Sequence, residues 1–324
     1  MTLTTAPPGA RPDLPPPGLR STRAGLSDRA FRALSLGAGL TVFAVLGLIA
    51  ISTTREAWPA FRADGLSFFT TSRWAPNVDV FGSLAFVFGT VLVSVIALVF
   101  AVPVSMGIAL FISEVAPRRL RRLAGSFVDL LAAVPSVVYG LWGILVFAPF
   151  VVKVYEPISE ATEPIPVLGW IFGPPVNGFS FATAGIILAL MITPIITAIT
   201  REVFDTVPAS QKEAAYALGS TRWEMIRASI FPYSRAGIVG AVLLGLGRAM
   251  GETIAVALVI GSSPTITSHI FRPGDAMAAV IANQFGEAGG LHRSALIALG
   301  VELFVITIIV NIVARAIVHR RAGA

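Results

Sequence analysis

VFGSLAFVFGTVLVSVIALVFAVPVSMGIALFIS, residues 80–113, is an uncharged stretch between Asp79 and Glu114. As a helix rising 1.5 Å per residue it would extend about 50 Å, against about 30 Å for the hydrocarbon core of a bilayer. It is too long for one straight span, so a kink at Pro103 is expected, with ends running past the hydrocarbon or along the surface. The rest of the chain repeats the signal. Hydrophobic residues make up 55% of it, charged residues 13%, and its mean hydropathy is +0.80, where a soluble domain is nearer one quarter charged. Five further apolar runs, at about 33–53, 126–150, 181–200, 236–261 and 294–314, bring the expected spans to six. The fold class is therefore an all-α membrane protein with six transmembrane helices.

Charge sets the orientation. Basic residues cluster at Arg118, Arg119, Arg121 and Arg122, then between spans four and five, and again at Arg315, Arg320 and Arg321. Cytoplasmic loops carry such an excess, so both termini are expected inside, and nucleic acid is not an expected partner. Residues 1–30, rich in Pro and Arg, read as a disordered cytoplasmic tail without a signal peptide, ahead of a six-span domain over 31–324. Residues 151–180, acidic and then rich in Pro and Gly, read as an ordered irregular loop. There are no cysteines, and His269, His292 and His319 form no metal-ligand cluster.

The most specific signal is the cytoplasmic loop at about 201–235, which contains VPASQKEAAYALGSTRWEMIRASIFP. Pro208 starts a helix, Gly219 stops it, and Thr221 with Glu224 forms a capping box for a second short helix. The pair would make a compact knob. One reading is an ordinary juxtamembrane helix pair. The other follows from a resemblance. Glu213-Ala214-Ala215, Gly219 and the Ser229–Pro232 stretch nine residues later resemble the coupling loop of ATP-binding-cassette importer permeases, with Ser229 replacing the usual aliphatic residue. In that reading Glu213 accepts hydrogen bonds at the partner surface, and the small Ala214 and Ala215 let the helix seat closely in it.

The resemblance widens over residues 80–315. FISEVAPRRLRR (111–122), LLAAVPSVVYGLWG (130–143), MITPIITAITREVFDTVP (191–208) and LGLGRAMGETIAVALVIG (244–261) are similar to the phosphate-specific importer permeases, more to the C-type subunit than to the A-type. It implies a type I importer permease (MetI-like) fold in a bacterial cytoplasmic membrane, surrounded by lipid. It also implies a related A-type permease, two ATP-binding-cassette ATPases and an external phosphate-binding protein as partners. The chain has no Gly-x4-Gly-Lys-Ser/Thr loop, its lysines being Lys153 and Lys212, so ATP with Mg is expected on the ATPase partners and no cofactor in this chain. A permease for sulfate or molybdate, and a sensor subunit docked on an ATPase without transporting, are the alternatives.

The last of those stretches places Arg248 and Glu252 inside a span. On a continuous helix positions i and i+4 share a face, and neither charge is tolerated toward lipid. Two readings stand: an internal ion pair that fixes packing, or an anion path. In the second, the Arg248 fork binds phosphate oxygens, and Glu252 holds that fork or accepts a proton. The resemblance implies the second. Glu302 reads as an interior hydrogen-bonding group and Asp129 as half of a structural charge pair near the Arg118–Arg122 cluster. Ser136, Tyr139, Thr193 and Thr197 are polar enough to line a path.

Overall fold

The computed structural model describes residues 26–322. The expected tail at 1–30 lies outside the described residues as far as residue 25, and residues 26–30 already belong to a helix. The chain divides into two compact units, residues 1–52 and 53–324. The first contains most of helix α1 (Leu26–Asp64), whose apolar residues, Phe31 and Phe43 among them, are exposed.

The second unit opens with the end of α1 and a short helix α2 (Ser67–Thr70). A two-strand ribbon follows, β1 (Trp74–Ala75) antiparallel to β2 (Val80–Phe81), with Trp74 opposite Phe81. Helix α3 (Leu84–Leu110) then takes up the uncharged stretch, running through Pro103 and on to Val115. Amphipathic α4 (Arg118–Ala132) precedes α5 (Ser136–Trp142) and α6 (Ala148–Thr162), which together make one span, and α7 (Pro166–Ile171). Helix α8 (Phe181–Asp205) is followed by α9 (Ala209–Ala217), α10 (Arg222–Met225) and α11 (Phe231–Met250). The chain closes with α12 (Ile254–Val259), α13 (Met277–Gln284) and α14 (Gly290–Ala322). Among the described residues, six helical stretches are long and apolar enough to cross a membrane: Asp28–Asp64, Leu84–Val115, Ser136–Thr162, Phe181–Asp205, Arg222–Met250 and Gly290–Ala316.

Three boundaries differ from the sequence reading, each for a local reason. The third span starts at Ser136 rather than near 126, because Val134 precedes Pro135 and a residue before proline is pushed out of the helical region. The acidic stretch read as loop is helical as far as Thr162, continuing through Pro157. The fifth span begins at Arg222, since the second helix of the loop at 201–235 does not stop at Pro232 but passes into α11.

That last continuity depends on a π-turn, Ile226–Ile230, with Pro232 two residues beyond it. A second π-turn, Gly143–Phe147, lies the same distance before Pro149. A proline in a helix has no N–H for the carbonyl four residues earlier and presses its ring against it. Those carbonyls belong to Ala228 and Leu145, each in the middle of its π-turn, where the wider winding makes room. A third π-turn, Phe111–Val115, ends the second span before Pro117. Its central carbonyl, that of Ser113, accepts a hydrogen bond from the Arg121 guanidinium instead.

Helix α8 is the buried axis of this unit. Ile187, Leu188, Ile192 and Ile196 pack against Val93, Ala97 and Ala101 of α3 and Ala241 and Ala249 of α11. Small residues permit the approach: a Cβ on Gly245 would lie 2.6 Å from Ile196 Cδ1, and one on Gly140 would lie 3.0 Å from Ala255 Cα. The segment after α12 folds back over the start of α8. Phe181 N donates to Arg272 O at 3.2 Å, Ala182 N to Ile270 O at 2.9 Å, and Gly274 N to Ile260 O at 3.0 Å. It carries a buried acid, Asp275, whose Oδ1 accepts from Ala276 N at 2.8 Å, close to Thr90, which accepts from Met277 N at 3.0 Å.

Candidate functional site

The loop between the fourth and fifth spans folds largely as its residues dictate. Pro208 precedes α9, and Gly219 takes a left-handed φ of +83° at its end. Thr221 caps α10 in a full capping box, accepting from Glu224 N at 3.4 Å while its own N–H donates to Glu224 Oε2 at 2.8 Å. The knob is anchored from below. Ala215 packs on a cluster of Ala109, Phe204, Val207, Met225, Ile226 and Ile230, so it faces its own core, and Ala214 and Glu213 are the exposed members of the triplet. Lys212 Nζ bonds Glu114 Oε1 at 2.6 Å, tying α9 to the end of the second span with both side chains largely buried. Ser229, at the position where the motif expects an aliphatic residue, donates to Gln211 O at 3.4 Å. What remains outward is an apolar tip, with Leu218 88% and Trp223 60% exposed. Because α10 is continuous with α11, a push on this tip acts on the whole fifth span.

At the other end of α11 the expected pairing is corrected. The helix stops at Met250, with Gly251 as its cap, and restarts at Ile254. Arg248 is therefore in the last turn of one helix, and Glu252 lies in the break, so the face-sharing of i and i+4 does not apply. The ion pairs among the described residues are Arg201–Asp129 at 3.6 Å and Lys212–Glu114; Arg248 and Glu252 do not pair. Glu252 Oε1 accepts from Ala255 N at 3.3 Å and so caps α12. Arg248 is exposed and has no hydrogen bond or ion pair among the described residues. Tyr139 of α5 donates its hydroxyl to Leu131 O at 3.2 Å. A guanidinium with its donors unengaged, at a break in a membrane span, is an arrangement able to receive an oxyanion two oxygens at a time.

The remaining candidates separate. Asp129 pairs with Arg201 of α8 rather than with the Arg118–Arg122 cluster. Glu302 is partly buried in α14, with its Oε2 lacking a partner among the described residues. Thr193 spends its hydroxyl on Ala189 O at 2.7 Å, Thr197 is buried on α8, and Ser136 is half-buried at the start of α5. The Lys212–Glu114 and Arg201–Asp129 pairs join residues far apart in sequence, and nothing in the chain's local pattern announces them.

Residues 101–323 match the family described as binding-protein-dependent transport system inner membrane component. The phosphate transport system permease protein PstC of Mesorhizobium japonicum is 45% identical over 319 residues, covering 95% of this chain and 98% of that protein. Its counterpart in Xylella fastidiosa strain 9a5c is 43% identical, covering 94% of each. Among solved structures, one of a bacterial alginate ABC transporter with a pentasaccharide-bound periplasmic protein is similar in fold, with a TM-score of 0.57 at 18% identity over 92% of this chain and 98% of that one. A MetNI methionine transporter in an inward-facing conformation gives 0.52 at 16% identity, over 72% and 94%. The matched span and these identities place the six-span chain in one family: it belongs to the binding-protein-dependent transport system inner membrane components, alongside the phosphate transport system permeases.

Proposed function

We propose that this chain is one permease half of an ATP-driven phosphate importer of a bacterial cytoplasmic membrane, with its termini and the Glu213–Gly219 loop inside. The observation that carries the reading is Arg248, exposed and without an ion pair among the described residues where the fifth span breaks. The naming of the chain's relatives as phosphate transport permeases supports phosphate as the anion. Arg248 stays cationic at any working pH and offers a planar fork to the phosphate oxygens. Glu252, committed to capping α12, shapes the break without occupying the fork, which stays open to phosphate.

A second permease of the same family completes the path, and an external binding protein delivers the anion. Two ATPase subunits hydrolyse ATP, each receiving one permease loop. Here the exposed Glu213, Ala214, Leu218 and Trp223 would form the contact, and Gly219 the turn that shapes it. The Lys212–Glu114 bond and the continuous α10–α11 helix would carry the motion from that contact to Arg248. The test is uptake by the four-part complex in proteoliposomes with its binding protein. Phosphate should accumulate only with ATP inside, and sulfate should not. Equal uptake of sulfate, or ATP hydrolysis without any anion movement, would refute the assignment.

A further inference from the structure

Helix α4 (Arg118–Ala132) has three sides, and the rest of the described chain covers one of them. Each residue of a helix advances about 100° around its axis. Gly125, Val128 and Arg121 fall within an arc of about 60°, and this is the packed side. Gly125 and Val128 are buried, Gly125 leaves room for the Arg201 guanidinium of α8, and Arg121 donates to Ser113 O. A second arc, of about 100°, holds Arg118, Arg119, Arg122 and Ser126, all exposed. The three arginines have no hydrogen bond or ion pair among the described residues. Asp129, the sole acid of α4, falls in this arc but is matched by Arg201 at 3.6 Å. The third arc, of about 80°, holds Leu120, Leu123, Phe127 and Leu130, with Leu123 and Leu130 each 69% exposed.

The basic and apolar sides meet along one edge, because Arg119 stands one turn before Leu123. A helix with an Arg-rich side next to a Leu/Phe side suits the membrane interface, where it attracts anionic headgroups. The position of α4 in the chain fits. It lies a few residues past Val115, where the second span ends, and a few before Ser136, where the third begins. Both ends are thus tied to helices that cross the bilayer. A protein cover would have to match a cationic and an apolar side along about 22 Å of one helix. A leaflet containing anionic lipid offers both, with phosphates beside acyl chains.

We propose that α4 is a docking surface for anionic phospholipid, with Leu123, Phe127 and Leu130 among the acyl chains and the headgroup phosphates on Arg118, Arg119 and Arg122. This contact is independent of the anion that passes Arg248. The chain purified with its partner subunits, incubated with equal amounts of phosphatidylglycerol and phosphatidylcholine, can be weighed by native mass spectrometry. Phosphatidylglycerol should be retained in preference, and Arg118→Gln, Arg119→Gln and Arg122→Gln together should lower that preference about tenfold. Co-elution with the partner subunits shows that the variant has folded. The chain has no cysteines, so Phe127→Cys and Ser126→Cys can each carry a nitroxide in the complex reconstituted into vesicles of the same two lipids. The label at 127 should be relaxed by oxygen more than by a water-soluble nickel chelate, and the label at 126 the reverse. Equal retention of the two lipids by the unaltered complex, or an unchanged preference in the triple variant, would overturn the proposal. So would a label at 127 that the nickel chelate reaches freely, or one shielded from both reagents by a partner subunit.

Discussion

Substitutions at Glu252 separate a capping role from an ion-pairing one. Its Oε1 accepts the Ala255 N–H at 3.3 Å, and no ion pair joins it to Arg248. Glu252→Ala removes the acceptor inside a membrane span, where water does not readily replace it. A donor left unsatisfied in this way costs about 1–3 kcal/mol, a factor of roughly 5 to 150 in the equilibrium that holds α12 against α5. Glu252→Gln keeps an amide oxygen at the same reach and should cost no more than about 0.5 kcal/mol, in line with the small differences among good caps. The assay is phosphate uptake in proteoliposomes alongside the thermal midpoint of the assembled complex. Glu252→Gln should retain most of the uptake and the midpoint, while Glu252→Ala loses most of the uptake and several degrees. If Glu252→Gln is as inactive as Glu252→Ala at an unchanged midpoint, the carboxylate charge is what matters, and the capping argument is wrong.

Other expectations follow from single residues. Gly219 has a φ of +83° with open space where a Cβ would sit, so Gly219→Ala meets backbone strain of about 1–2 kcal/mol and no clash; ATPase subunits should co-purify less well with this variant while the permease itself remains folded. Glu114→Ala removes the acceptor of a largely buried 2.6 Å bond from Lys212 and should lower phosphate moved per ATP hydrolysed, with binding of the ATPase subunits retained. Burial raises the Asp275 carboxyl from 3.8 to about 7. The folded protein thus holds this proton more tightly than the unfolded chain does, so the stabilising contribution is fullest below pH 3.8, declines through the window between 3.8 and about 7, and is flat above it. Thermal midpoints measured from pH 5 to 8 should fall for the unaltered protein and fall less for Asp275→Asn.

The sequence discloses what local chemistry controls. Six apolar runs, the Pro208 start, the Gly219 stop and the Thr221–Glu224 box each depend on residues within a few positions of one another, and all are present in the fold. Hydropathy alone misplaces the third span, because the amphipathic α4 and the apolar start of α5 merge in a running count, and only Pro135 separates them. The Arg248–Glu252 pairing fails for a related reason. A spacing of four implies a shared face only while the helix continues, and Gly251 ends it. Long-range partners are hidden more deeply. Asp129 has four arginines nearby in the chain yet meets Arg201 across the packing of α4 on α8, where Gly125 leaves room for the guanidinium. Ala214 and Ala215 look alike in the motif, but the turn of α9 exposes one and half-buries the other.

The central claim is that the unpaired Arg248 guanidinium carries the phosphate, and one comparison tests it most directly. Uptake of labelled phosphate would be measured in proteoliposomes containing the complete complex with Arg248, Arg248→Lys or Arg248→Gln, with ATP hydrolysis recorded in the same vesicles. The account predicts that Arg248→Gln abolishes uptake while the complex assembles and the binding protein still stimulates hydrolysis. Arg248→Lys, which keeps the charge but loses the two-point fork, should retain only a small fraction of uptake. Unaltered uptake by Arg248→Gln would contradict it.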